Sequence, residues 1–114
     1  MNEEIKKIIA ECEKQVGFPL DVGHLRYTGK SKTFLTWTIT GEEPALSAND
    51  EDLCSICSLD LDLFSDGNYL DLKREIKRVM KENGWVWVED SEEMYEEDTG
   101  LYHQTCSFEK ERIL

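Results

Sequence analysis

Two aspartates, Asp60 and Asp62, lie in a run of alternating leucines and polar residues that is typical of a β-strand. Side chains two residues apart in a strand point the same way, so both carboxylates are expected on one face. Such a pair can share general acid and base work if an apolar pocket raises the pKa of one member. Their neighbour on that face is Ser58, which indicates an open polar surface. We therefore interpret the pair as facing solvent or a neighbouring subunit.

The cysteines could form a metal or redox site. Cys54 and Cys57 have the C-x-x-C spacing, and the other two cysteines are Cys12 and Cys106. Structural zinc commonly takes four ligands, from two such pairs or from one pair with two closely spaced histidines. The chain has neither arrangement, and residues three apart in a strand point to opposite faces. Buried free thiols are the preferred interpretation.

The remaining chemistry-bearing residues form no recognised catalytic pattern. Neither His24 nor His103 has a nucleophile at a known spacing, and the chain lacks GxSxG, P-loop and HExxH motifs. The acidic segment 89–98 (EDSEEMYEED) offers many oxygens but lacks the DxDxDG spacing of a calcium loop. We therefore expect a non-enzymatic protein with no cofactor and no metal site.

The elements that position these residues can be predicted from periodicity. Apolar residues at helical spacing predict a helix over 3–16, and a second helix of about 15 residues is expected after a cap at Asn68. Alternation predicts strands, and segments 41–52 and 89–98 are interpreted as loops. The predicted strands are 20–27, 33–40, 53–64, 85–88 and 101–108.

This order of elements predicts an α+β fold, α-β-β-β-α-β-β. Because βα units do not alternate along the chain, an all-parallel sheet is not expected. We expect a mostly antiparallel sheet of about four to five strands with both helices packed on one face. The length of 114 residues fits a single domain, 1–114.

Charge restricts the partners. The formal net charge is -12, which opposes binding to nucleic-acid phosphates and to anionic lipid. No apolar run approaches the roughly 20 residues of a membrane span. The N-terminal segment is charged and amphipathic, unlike a signal peptide. We expect a protein made in a reducing cytoplasm.

Three phrases resemble one protein family. The phrases are FPLDVGHLRYTGKSKTFLTWTIT, SANDEDLCSICSLDLDLFSDGNYLDLKREIKRVMKENGW and EEMYEEDTGLYHQTCSFEKER. They are similar to the "P-v-x-x-G-x-Y-x-G" opening, the "v-D-l-x-s-x-G-N-Y" centre and the "Y-E-x-D-T-x-x-Y-H-x-x-x-x-F" ending of tail terminator, or tail completion, proteins of long-tailed phages and prophages of Gram-positive bacteria. The resemblance covers nearly the whole chain.

The resemblance implies a structural role in the virion. Members of this family form a hexameric ring at the head-proximal end of the tail, where they stop tube polymerisation. The implied partners are further copies of the chain, the tail tube protein and the head-tail connector protein. DNA passes through the lumen without specific binding, and no membrane is involved.

An acidic lumen wall would repel DNA and let it slide. The acidic segment 89–98 could supply such a wall, or it could contact a neighbouring subunit. The candidate interface or lumen residues are therefore Asp60, Asp62, Glu92, Glu93, Glu96 and Glu97.

Two other classes of function stay open at this point. Net charge alone permits a small acidic cytoplasmic protein-binding module, acting as an inhibitor or adaptor. A hydrolase using the aspartate pair is ranked last, and it requires a concave pocket that holds Asp60, Asp62 and either His24 or His103 together.

Overall fold

A computed structural model describes residues 2–48, 51–67 and 69–113. It confirms the α+β fold and the predicted order of elements, with one further short strand near the end. The helices are α1 (Asn2–Val16) and α2 (Leu70–Glu82). The strands are β1 (Asp21–His24), β2 (Thr33–Ala48), β3 (Glu51–Ser65), β4 (Val86–Asp90), β5 (Met94–Glu96) and β6 (Leu101–Ile113).

All six strands belong to one sheet, in the order β1-β2-β3-β6-β4, and β5 also pairs with β6. The sheet is mostly antiparallel, as predicted, and β1 and β2 are a parallel pair. The central strand β3 pairs with β2 on one side and with β6 on the other. Strands β1 and β4 therefore end the path of paired strands on opposite sides of the sheet.

The loop predicted over 41–52 is wrong for its described residues. Strands β2 and β3 instead continue as a long hairpin, paired as far as Ala48 and Glu51, while residues 49–50 lie outside the described chain. The register shifts between Ile39 and Gly41 and again around Pro44. These irregularities interrupt the two-residue alternation by which a strand is recognised. We call residues 41–48 and 51–56 the arm.

The acidic segment 89–98 is also only partly a loop. Strand β4 continues to Asp90, and Met94–Glu96 forms β5 against the start of β6. A strand of three residues is too short to show a period.

The expected cap of α2, Asn68, lies outside the described residues.

The core lies between the helices and one face of the sheet. The buried stripe of α1 is Ile5, Ile8, Ile9 and Cys12, and that of α2 is Leu72, Ile76, Val79 and Met80. Both stripes belong to a single cluster with the leucines of β3. Both helices therefore pack on one face of the sheet, as predicted. No helix among the described residues is long and apolar enough to cross a membrane.

A half-buried charge cluster ties α1 to the sheet. Lys110 Nζ donates to Glu4 Oε2 at 2.6 Å, Arg112 Nη2 donates to Glu4 Oε1 at 3.2 Å, and Trp85 Nε1 donates to Glu4 Oε2 at 3.2 Å. Burial opposes ionisation of Glu4, but these donors outweigh it and hold the pKa of the carboxyl below its ordinary value of 4.5. The first turn of α1 is therefore fixed to the end of β6.

The core leucines should dominate stability. Leu61, on β3, is 1% exposed, and Leu61→Ala should lower the free energy of unfolding by about 2–5 kcal/mol because it leaves a cavity. Leu70→Ala is the matched control, since Leu70 is 50% exposed, and it should cost less than about 1 kcal/mol. Urea titrations of both variants measure the difference. Equal losses would contradict the described core.

The Glu4 cluster should make stability depend on pH. Glu4→Gln should lower the free energy of unfolding by about 1 kcal/mol near neutral pH. Because the folded-state pKa of Glu4 is lowered, its stabilisation is fully present above the ordinary value of 4.5 and is lost as pH falls through the lowered value. Denaturant titrations of the wild type and of Glu4→Gln, near neutral pH and in acid, measure the difference in their free energies of unfolding. This difference should shrink as the pH falls. The exposed neighbour provides the control variant, Glu3→Gln, which should change little at either pH.

Candidate functional site

The sheet face opposite the helices is lined with polar side chains from three neighbouring strands, and we call it the outer face. Asp62 lies near its centre, opposite Thr36 on β2 and Thr105 on β6. Both threonine hydroxyls donate to its carboxylate, Thr36 at 3.4 Å. The side chain of Asp62 is 25% exposed. Its oxygens are therefore largely occupied by side chains of the sheet itself.

His103 is held between two carboxylates on this face. Its Nε2 lies 3.3 Å from Asp62 Oδ1, and its Nδ1 lies 3.6 Å from Glu96 Oε1. Asp60, two residues from Asp62, accepts a hydrogen bond from Ser107 Oγ at 2.7 Å. The structure thus brings Asp62, Glu96 and His103 together, while Asp60 has a separate partner.

The other histidine is elsewhere. His24, at the end of β1, stacks on the ring of Trp37 with centroids 3.9 Å apart. Trp37 belongs to the core cluster, so this stack lies on the helix side of the sheet. His24 and Asp62 are therefore on opposite faces, and of the two histidines only His103 meets an aspartate of the pair.

A ladder of stacked rings crosses the outer face at the end of the sheet where β2 and β6 begin and β3 ends. Tyr27 stacks on Phe34 at 4.2 Å, Phe34 on Phe64 at 4.7 Å, and Phe64 on His103 at 4.1 Å between centroids. This ladder was not predicted from the sequence. The signal was present, because alternation places Phe34 with Thr36 and Phe64 with Asp62 on the polar side of their strands.

The ladder also joins the three phrases that carry the family resemblance. Tyr27 and Phe34 come from the first phrase, Phe64 from the second and His103 from the third. Segments far apart in the sequence therefore meet at one end of the sheet.

The acidic residues of 89–98 lie beside the β4 end of the sheet. Glu92, Glu93 and Glu97 are exposed, and Glu96 is half-buried, with Thr99 Oγ1 donating to it at 3.4 Å. Glu93 also lines a cavity of about 400 Å³ with Asp66, Tyr69 and Tyr102. Burial, with a contribution from the charge of Glu93, raises the pKa of Tyr69 to about 12.

Strand β4 exposes three consecutive large apolar side chains, an exposure that was not predicted from the sequence. Val86, Trp87 and Val88 are 65%, 50% and 48% exposed. Lys77 lies over the Trp87 ring at 4.2 Å, and Trp87 Nε1 donates to Asp90 Oδ1 at 2.9 Å. Trp37 and Trp85 are instead buried in the core, so only Trp87 of the three tryptophans is available to a partner.

The four cysteines are free and buried, as predicted. Burial raises the pKa of the Cys12 and Cys106 thiols to about 12, so they stay protonated and weakly nucleophilic at neutral pH. Within the described chain, no three or more His, Cys, Asp or Glu side chains are grouped to hold a metal ion.

Neither a protein-family model nor a curated protein matches this chain. The exposed surfaces are therefore the structural basis for a functional proposal. Strand β4 exposes apolar side chains, and the outer face carries the aspartate, threonine and serine side chains described above.

The two aspartates should differ in their effect on stability. Asp62→Asn removes the charge facing His103 and alters two threonine hydrogen bonds, so it should lower the free energy of unfolding by about 1 kcal/mol. Asp60→Asn is the matched variant and should cost less, because Asp60 has one described partner, Ser107. Circular dichroism should show the same fold for both, and urea titration measures the losses. A larger loss for Asp60→Asn would contradict this arrangement.

Proposed function

We propose that this chain is a structural subunit of a phage or prophage virion. Copies of the chain form a ring, which we expect to be hexameric, at the head-proximal end of the tail tube. The ring stops tube polymerisation and joins the tail to the head connector. The role is that of an assembly protein, without catalysis or a cofactor.

The observation that carries the proposal is the exposed terminal strand β4. Three apolar side chains, led by Val86 at 65% exposure, lie on a strand with one unpaired edge. Trp87 lies under Lys77 on the helix side of the sheet, whereas Val86 pairs with Glu109 and faces the other way, so β4 exposes apolar side chains on both faces. Exposed apolar surface on a terminal strand is typical of contact with another protein. Unpaired strand edges also present free backbone N–H and C=O groups that can pair with a second chain.

The shape of the subunit supports assembly as well. The molecule measures 53 × 27 × 23 Å, and its long hairpin includes the arm. Helices α1 and α2 cover the leucines of β3, whereas Glu42 and Glu43 of the arm are exposed. An extended arm can reach an adjoining copy or the tube protein.

The type of assembly is taken from the family resemblance. Residues of all three phrases meet in the stacked rings between Tyr27 and His103, so they form one structural unit. The net charge of -12 suits a ring through which DNA slides, because an acidic wall repels phosphates.

Deleting the gene from its source genome tests this role. Electron microscopy of the resulting particles should show heads without tails and free tails of excessive length. Restoring the gene should return joined particles. Normal joined particles after deletion, or flanking genes that encode no head or tail proteins, would overturn the proposal.

A surface variant of β4, expressed in the deletion strain, tests whether this strand is a contact surface. Val86→Lys with Val88→Lys should leave the fold intact, because both side chains are exposed, yet fail to restore joined particles. Leu70→Lys is the control, since Leu70 is also exposed but lies on α2, and it should restore them. Infectivity counts and particle images provide the readout. Full rescue by the double variant would show that β4 is not a contact surface.

A further inference from the structure

The loop after β1 displays an apolar residue in a strained conformation. Leu25 has φ 65° and is 64% exposed. A left-handed backbone costs a leucine about 1 kcal/mol, and such strain often marks functional positions. The leucine side chain gains little from burial in the described fold, so folding alone does not explain it.

This loop is nevertheless fixed in place. Leu25 N donates to Trp37 O at 2.9 Å, and Arg26 N donates to His24 O at 2.7 Å. A side chain at Gly23 would place its Cβ 2.2 Å from Arg26 O, so only glycine permits this close approach. Tyr27 is anchored by a 2.6 Å hydrogen bond to Asp21. The loop therefore holds Leu25 in a defined position.

The same loop carries positive charge in an acidic protein. Arg26, Lys30 and Lys32 are all exposed, and no ion pair within the described chain involves them. We call residues 25–32 the basic loop. It begins beside β1, the terminal strand on one side of the sheet, and runs along the end of the sheet, where Lys32 lines a pocket with Asp66 and Lys30 lines one with Leu101.

The other side of the sheet is complementary. Strand β4 exposes Val86, Trp87 and Val88, and Glu89, Glu92 and Glu93 follow them. Those three glutamates are exposed and take part in no ion pair among the described residues. We call residues 86–93 the acidic edge.

We propose that the acidic edge of one copy of this chain binds the basic loop of the next copy. Leu25 packs against the apolar side chains of β4, and the three cations of the loop face the three glutamates. The two surfaces share no residue, so the contact is heterologous and repeats from copy to copy. Contacts of this type close into a ring when the rotation from one copy to the next divides a full turn evenly, as the proposed ring requires.

The inference deepens the proposed ring function and rests on it. It assigns Glu92 and Glu93 to the subunit interface instead of the lumen. Complementary charges at such a contact fix its register and exclude other pairings.

Two charge-reversed variants test the contact in solution. The first variant is Arg26→Glu, Lys30→Glu and Lys32→Glu, which leaves both surfaces acidic. The second is Glu89→Lys, Glu92→Lys and Glu93→Lys, which leaves both surfaces basic. Neither variant can pair with itself. In a mixture, the acidic surfaces of the first variant can bind the basic surfaces of the second. Copies of the two variants should therefore associate in alternation.

Sedimentation velocity of the full chain at about 1 mM, where even weak association is populated, measures the outcome. The wild type should associate, each variant alone should associate at least tenfold more weakly, and the mixture should recover. The control for the first variant is Lys6→Glu, Lys7→Glu and Lys14→Glu on the exposed side of α1, which lowers the net charge by the same amount and should behave as the wild type.

Leu25→Asn tests the apolar part separately. Asparagine accepts the left-handed conformation but removes the apolar side chain. Association should weaken about tenfold, while the free energy of unfolding should not fall. Circular dichroism checks the fold of every variant.

Two results would overturn the proposed contact. One is a wild-type chain that stays monomeric at about 1 mM. The other is a wild type that associates while the mixture of variants does not, which would place the contact on another surface. Either result leaves the ring function to be judged by the deletion phenotype, so the two failures are distinguishable.

Discussion

The central strand β3 and its fixed register are the constraint on which the rest of the structure depends. The strand pairs with β2 and β6 over nearly its whole length, and its leucines face the helices while Asp60, Asp62 and Phe64 face outward. A slip of one residue would exchange these two sets. Burial of Leu59, Leu61 and Leu63 thus specifies both the core and the polar network on the opposite face.

Regular periodicity explains which parts of the fold could be predicted. The apolar stripes of α1 and α2 and the alternating faces of β3 were predicted correctly, because buried surfaces repeat at 3.6 or 2 residues. The arm was missed because shifts near Gly41 and Pro44 break that repeat. Strand β5 was missed because three residues show no period.

The candidate surfaces were harder to predict than the fold. Alternation correctly places Asp60 and Asp62 on one face, but their different partners depend on which strand lies beside β3. The contact of His103 with Asp62 joins residues 41 positions apart. The exposure of Trp87 depends on β4 being a terminal strand, and sheet order is a tertiary property. Sequence patterns describe one strand at a time and contain no such information.

In the proposed contact, the basic loop and the acidic edge carry opposite charges. Two copies approaching with the same edges facing each other meet like charge against like charge, whereas copies aligned head to tail attract. Repulsion between two copies of net charge -12 acts over the Debye length of about 10 Å at 0.1 M salt. Attraction between opposite charges on the two surfaces acts when the copies are close. In the proposed ring, these charges would therefore select the direction in which copies add, before any apolar side chain touches its partner.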